Sequence, residues 1–120
     1  MKKIILLFIA YCLLSIAYCF SQSKKDIKKN GIKSTKISIT DSKSGNTITE
    51  SFTKFDANGN TIEENIFDND GKLKKKESFK FNKNDDETER IIYKTDGSVK
   101  KKIITKYDSN NNKTEEVTFD

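Results

Sequence analysis

Four groups of residues in this chain are of types that do chemistry. The oxygen-rich clusters Asp56-Ala57-Asn58-Gly59 and Asp68-Asn69-Asp70-Gly71 offer calcium ligands. The adjacent carboxylates Glu63/Glu64 and Glu115/Glu116 suggest an acid/base couple of the glycoside-cleaving kind. The triplets Lys74-Lys75-Lys76 and Lys100-Lys101-Lys102 suggest a basic stripe. Aromatic residues at Phe55, Phe67, Phe81, Tyr93, Tyr107 and Phe119 offer rings on which a sugar could stack.

Each group also has a plainer role. A calcium loop of the EF-hand type needs an oxygen where Ile66 stands and helices on either side, although a Glu does fall at the twelfth position, Glu77. Asp, Asn and Gly are equally what tight turns select, and turn formation is the reading adopted. Neighbouring residues of a strand point to opposite faces, so neither Glu pair converges. Acids such as Glu64 turn the lysine triplets into a charge-balanced, solvated face. The chain has no His and only two Cys, which removes the commonest general base and the commonest zinc ligand. The sequence therefore points to a non-enzymatic protein with no catalytic residue, metal or cofactor.

The elements that position these groups follow from where polarity changes. Lys2 and Lys3 precede an apolar run from Ile4 to Phe20, the pattern of an export signal cut after Ser21. Both cysteines, Cys12 and Cys19, would leave with it. Two alternatives use the same run: an uncleaved membrane anchor, and a lipobox in which Cys19 carries a lipid. Residues 22–36, with six Lys and one Asp, read as a basic flexible linker. Residues 37–120 hold 15 basic and 17 acidic groups, so the formal net charge of +5 belongs to the signal and linker rather than to the domain. Specific nucleic-acid binding is not expected.

Residues 37–120 carry a repeat. The six aromatic anchors are separated by 12, 14, 12, 14 and 12 residues, a 26-residue unit. Four residues after an anchor stands Gly59, Gly71 or Gly97, with Asp85 and Asn111 at the equivalent places, and Gly45 follows Asp41 in the same way. This predicts hairpins closed by a type I turn and a left-handed residue, for which Gly is best suited and Asp or Asn acceptable. The predicted strands span roughly residues 35–41, 47–56, 60–68, 72–82, 86–94, 98–108 and 112–119. The fold class is all-β, an antiparallel meander of about seven strands.

The turn register opposes Phe55 to Thr61, Phe67 to Leu73, Tyr93 to Val99 and Ile103 to Val117. Continued along each strand, it opposes Glu64 to Lys76, Glu63 to Glu77 and Arg90 to Lys102. It places all six anchors at odd positions on one greasy face, opposite a mixed one. Only 18 of these 84 residues are Leu, Ile, Val or Phe, so no second layer is encoded. The sheet curls, stays single-layered, or buries its aromatic face on a partner.

Phe55-Asp56-Ala57-Asn58-Gly59 and Tyr107-Asp108-Ser109-Asn110-Asn111 resemble the Tyr-Asp-x-x-Gly core of YD repeats, the Rhs-type β-repeats of exported bacterial proteins, over about residues 41–120. The resemblance implies an extracellular β-sheet scaffold, in some cases bound to carbohydrate. The expected function is an envelope or extracellular binding module for carbohydrate or protein, with Phe55, Phe81 and Tyr107 at one sheet edge and Phe67, Tyr93 and Phe119 at the other. The alternative is a structural or self-associating surface protein, or a membrane- or lipid-anchored accessory. Mass spectrometry of the mature protein is expected to find Gln22 at the N-terminus; an intact Met1, or a diacylglyceryl mass on Cys19, would overturn the cleavage site.

Overall fold

The computed structural model describes residues 23–120, so the expected export signal and the Cys19 alternative lie outside the described residues. Seven strands follow one short helix, α1 (Lys24–Lys29): β1 (Ser34–Thr40), β2 (Thr47–Phe55), β3 (Thr61–Phe67), β4 (Leu73–Phe81), β5 (Glu87–Tyr93), β6 (Val99–Tyr107) and β7 (Lys113–Phe119). They form one open antiparallel sheet in sequence order, as the repeat predicts. From β2 onward, nine-residue and seven-residue strands alternate and every connector has five residues. That is the physical origin of the 14- and 12-residue steps.

The connectors from β2 to β7 share one design. In the first, the Asp56 N–H donates to the Asn60 carbonyl at 3.0 Å and the Gly59 N–H to the Asp56 carbonyl at 3.1 Å, a type I turn followed by a left-handed Gly59 (φ +81°). The Asp after the anchor wraps the turn, its Oδ1 accepting from the Asn58 and Asn60 N–H groups at 2.8 and 2.9 Å. Asp68, Asn82 and Asp108 repeat this wrap. Lys94 lacks an acceptor there, and Asp96 takes the Ser98 N–H instead. Asp85 and Asn111 occupy the left-handed position at φ 66° and 64°. The β1–β2 loop keeps a left-handed Gly45 but is one residue longer, with Asp41 pairing to Asn46.

Beside each anchor the ladder slips once more. Phe55 opposes Thr61, Phe67 opposes Leu73 and Tyr93 opposes Val99 as expected, but the next pairs are Lys54 with Glu63, Ile66 with Lys75 and Ile92 with Lys101. The extra residues are Ile62, Lys74, Thr88, Lys100 and Thr114. Thr88 and Thr114 donate their hydroxyls to the Lys80 and Lys106 carbonyls, each at 3.2 Å, which fixes the bulge from the side chain. Beyond the bulges, odd positions oppose even ones. Ile103 therefore faces Thr118 rather than Val117, Glu63 faces Ser78 and Arg90 faces Ile103. Lys76 faces Asn65, and Glu64 faces Glu77 with the Lys75 ammonium between them at 2.9 and 3.4 Å.

The slip corrects the expectation of one shared aromatic face. Opposed residues share a face and alternate ones do not. Following the pairs across the sheet puts Phe55, Phe81 and Tyr107 on one face, called here the first, at the end of the strands that carries the β2–β3, β4–β5 and β6–β7 turns. Phe67, Tyr93 and Phe119 lie on the second face at the opposite end. Each face thus carries apolar and charged residues together, and neither is the greasy one.

A second difference concerns residues 22–36, read from sequence as a flexible linker. Within them lie α1 and the start of β1. Ser23 caps the helix, its Oγ accepting from the Asp26 N–H at 3.2 Å, and Gly31 ends it in a Schellman arrangement, with Ile32 N–H to Ile27 O at 3.0 Å and Gly31 N–H to Lys28 O at 3.2 Å. Ile27, only 6% exposed, is the most buried apolar side chain among the described residues. It shares a recess of about 470 Å³ with Ile32, Phe55, Ala57 and Ile62, worth about 2 kcal/mol by its burial. Composition hid this, because Ile27 and Ile32 bury against the sheet's end rather than against their own segment.

Docking uses the missing side chain of Gly59. A Cβ there would stand 2.6 Å from the Lys24 carbonyl oxygen, whereas at Gly97 it would meet nothing within 4 Å. The equivalent position in the next turn carries Asp85, whose carboxylate accepts from Asn60 Nδ2 at 2.8 Å, Asn58 Nδ2 at 3.2 Å and Lys24 Nζ at 3.0 Å. In the third turn Asn111 accepts from Asn84 at 2.6 Å. The three turns at this end are laced together and α1 closes the row. Gly59→Ala is expected to cost about 1–2 kcal/mol through its left-handed φ alone, and also to strip α1 amides of exchange protection. Gly97→Ala should cost about 1 kcal/mol and leave α1 protected; urea unfolding with hydrogen exchange checks both.

Candidate binding surface

The β1–β2 loop and the β3–β4 turn meet the sheet at the end away from α1, and here the second face is concave. A recess of about 580 Å³ is lined by Lys36, Thr47, Ile48, Thr49, Phe52, Phe67 and Gly71. Phe67 faces this recess because the β2–β3 bulge at Ile62 has turned it away from the face of Phe55. Lys54 lies over the Phe52 ring at 5.7 Å, and Lys76, opposed to Tyr93, lies over that ring at 5.0 Å. The Tyr93 and Ser78 hydroxyls are 3.2 Å apart. Aromatic rings, hydroxyls and ammonium groups thus share the second face, Phe52 and Phe67 in the recess and Lys76 and Tyr93 in the row that continues from it across β4 and β5.

The other residues singled out from sequence are placed elsewhere. Phe55 is occupied by the α1 recess. Tyr107 donates its hydroxyl to the Glu87 carbonyl at 2.9 Å and so braces β6 against β5. Phe81 lies on the same face as both, while Phe119 is 52% exposed on β7. Gly45, Gly59, Gly71 and Gly97 all take positive φ. The sequence reading missed Phe52, Lys36, Thr47 and Thr49 as neighbours of Phe67. The available signal was Thr88 and Thr114, polar β-branched residues at equivalent places beside the turns.

Across the middle of the second face, charge is closely balanced. The Glu89 carboxylate bridges Lys80 and Lys102, each at 2.9 Å, joining β4, β5 and β6. Hydrogen bonds from Lys80 and then Lys102 hold its pKa below the ordinary 4.5. Glu63 is likewise lowered, first by Asn65 and then by Lys54 at 3.0 Å. The paired carboxylates seen in sequence are split between faces, Glu63 with Lys54 on one and Glu64 with Lys75 on the other. Among the described residues, no group of three or more Cys, Asp or Glu side chains is placed to hold a metal ion.

Lowered carboxylate pKa values stabilise the fold above the unfolded value, and that contribution is lost as pH falls below about 4.5 through the folded values. The urea midpoint should therefore drop on acidification across that range. Glu89→Gln should be less stable than the parent at neutral pH and show a smaller drop; an unchanged acid profile would contradict the bridging role. Neither a protein-family model, nor a curated protein, nor a solved structure matches this chain.

Proposed function

We propose that this chain is an exported, non-enzymatic β-repeat protein that binds carbohydrate or protein in the envelope or outside the cell, and that the binding surface is the concave part of the second face. The observation that carries this reading is the recess that groups half-exposed Phe52 and Phe67 with Thr47, Thr49 and Lys36, continued on the same face by Lys76 and Tyr93 across β4 and β5. Rings supply flat apolar area for a sugar or a partner's aliphatic surface, and the hydroxyl and ammonium groups orient it. The YD-like turns and the sequence-predicted export signal support placement outside the cytoplasm. Carboxylates such as Glu63, Glu64 and Glu89 are engaged with lysines, which leaves them poorly placed for proton transfer.

The test is a glycan array combined with capture from envelope extract, followed by binding measurements on the recovered ligand. Phe67→Ala and Tyr93→Ala should each weaken binding by about tenfold or more, while Phe79→Ala on the first face should leave it intact. Equal loss from all three would place the site elsewhere, and no specific glycan or protein from either screen would remove the reading.

A further inference from the structure

The outer strands are the part of the sheet whose backbone bonding is incomplete. Among the described residues β1 pairs only with β2 and β7 only with β6, so each turns a row of N–H and C=O groups outward. Both strands are exposed along nearly their whole length, with Ile37 42%, Ile39 49% and Phe119 52% exposed. The chain contains no proline, β1 has no extra residue, and the bulge of β7 lies at Thr114, so Glu115–Phe119 is regular. The usual obstacles to edge pairing are few, and the charges at the two edges are of opposite sign. Lys33 and Lys36 mark the β1 edge, while Glu115, Glu116 and Asp120 outweigh Lys113 at the β7 edge.

The symmetry of the repeat says how these edges fit. Each strand is related to the next by a half-turn about an axis in the sheet plane, combined with a step of one strand. That operation carries an anchor from one end of the first face to the other end of the second, as from Phe55 to Phe67 to Phe81. Applied to the whole sheet, it lays β1 of a second copy antiparallel beside β7 with the faces exchanged. Lys36 belongs to the second face and Glu116 to the first, so the exchange brings them to one side. Ile37 and Val117, also on opposite faces within one copy, come together on the other side. Ionic and apolar complementarity are thus satisfied by one operation.

We infer that this protein self-associates edge to edge, β7 of one copy against β1 of the next, continuing the sheet head to tail. The contact is heterologous, so it propagates rather than closing as a dimer. It shares Lys36 with the rim of the binding recess, whereas Glu116 lies outside that recess and the rings Phe67 and Tyr93 lie on inner strands, so Glu116→Lys tests the association separately from binding.

Sedimentation velocity on the purified full chain over a concentration series tests this. A growing series of oligomers is expected, weakened by salt. Lys36→Glu and Glu116→Lys should each weaken association about tenfold through like-charge contact, and the two together in one chain should restore it. Both positions are exposed, and circular dichroism of each variant confirms the fold. A parent that stays monomeric, growth that stops at a dimer, or association unchanged by the single reversals would each overturn the inference.

Discussion

The structure depends on a left-handed residue at the fourth position of a five-residue connector. With no second layer, long-range packing cannot choose which strands pair or in what register, so the turns must do so locally. Four of the five connectors do it twice over: through the backbone pair that closes the hairpin, and through the Asp or Asn that accepts two further N–H groups. An aromatic anchor directly before that acid, as in Phe55-Asp56, ties the last ring of a strand to the point where the chain reverses.

Cohesion across the sheet is correspondingly distributed. No side chain among the described residues is fully buried, and the polar residues Asn60, Asn65 and Thr105 are buried more deeply than any apolar side chain but Ile27. Cross-strand contacts take the place of a core: Lys80 and Lys102 on Glu89, Lys75 between Glu64 and Glu77, Arg90 against the Phe79 ring at 5.3 Å. Such pairs are worth about 0.2–1 kcal/mol each. Their number rather than any single strength holds the layer, which explains a composition so rich in Lys and Glu with so few apolar residues.

Much of this was legible from sequence because turn chemistry is local. The seven strands lie within one or two residues of their expected bounds, and every Gly read as left-handed is so. What sequence did not reveal was the slip beside each anchor, since the extra residues, Ile62, Thr88 and Thr114 in one set and Lys74 and Lys100 in the other, are ordinary strand types with no Gly or Pro to mark a bulge. That slip reverses side-chain parity along the rest of the strand, and the expected shared aromatic face was lost with it. The candidate surface was therefore half legible: Phe67 and Tyr93 were found, but Phe52, Thr47 and Thr49 were assigned no part. Helix α1 was hidden for a different reason, because it is held by burying Ile27 against the sheet's end, where a distant glycine lets its backbone approach.

That glycine explains why the left-handed positions are not interchangeable. Gly, Asp and Asn all tolerate φ near +60 to +90°, so the turn alone does not decide among them. The neighbour does. Where a helix backbone must approach, at Gly59, any Cβ collides; where the preceding turn offers amide donors, at Asp85 and Asn111, a side chain with an acceptor is useful. Gly71 and Gly97 belong to turns at the other end, where a Cβ would find open space. The two ends of the sheet therefore differ in kind: one is laced and capped by α1, the other leaves its turns separate around a concave surface. A sheet made of near-identical steps acquires polarity from this difference, with side-chain hydrogen bonds between turns concentrated at the α1 end and half-exposed rings around the recess at the opposite one.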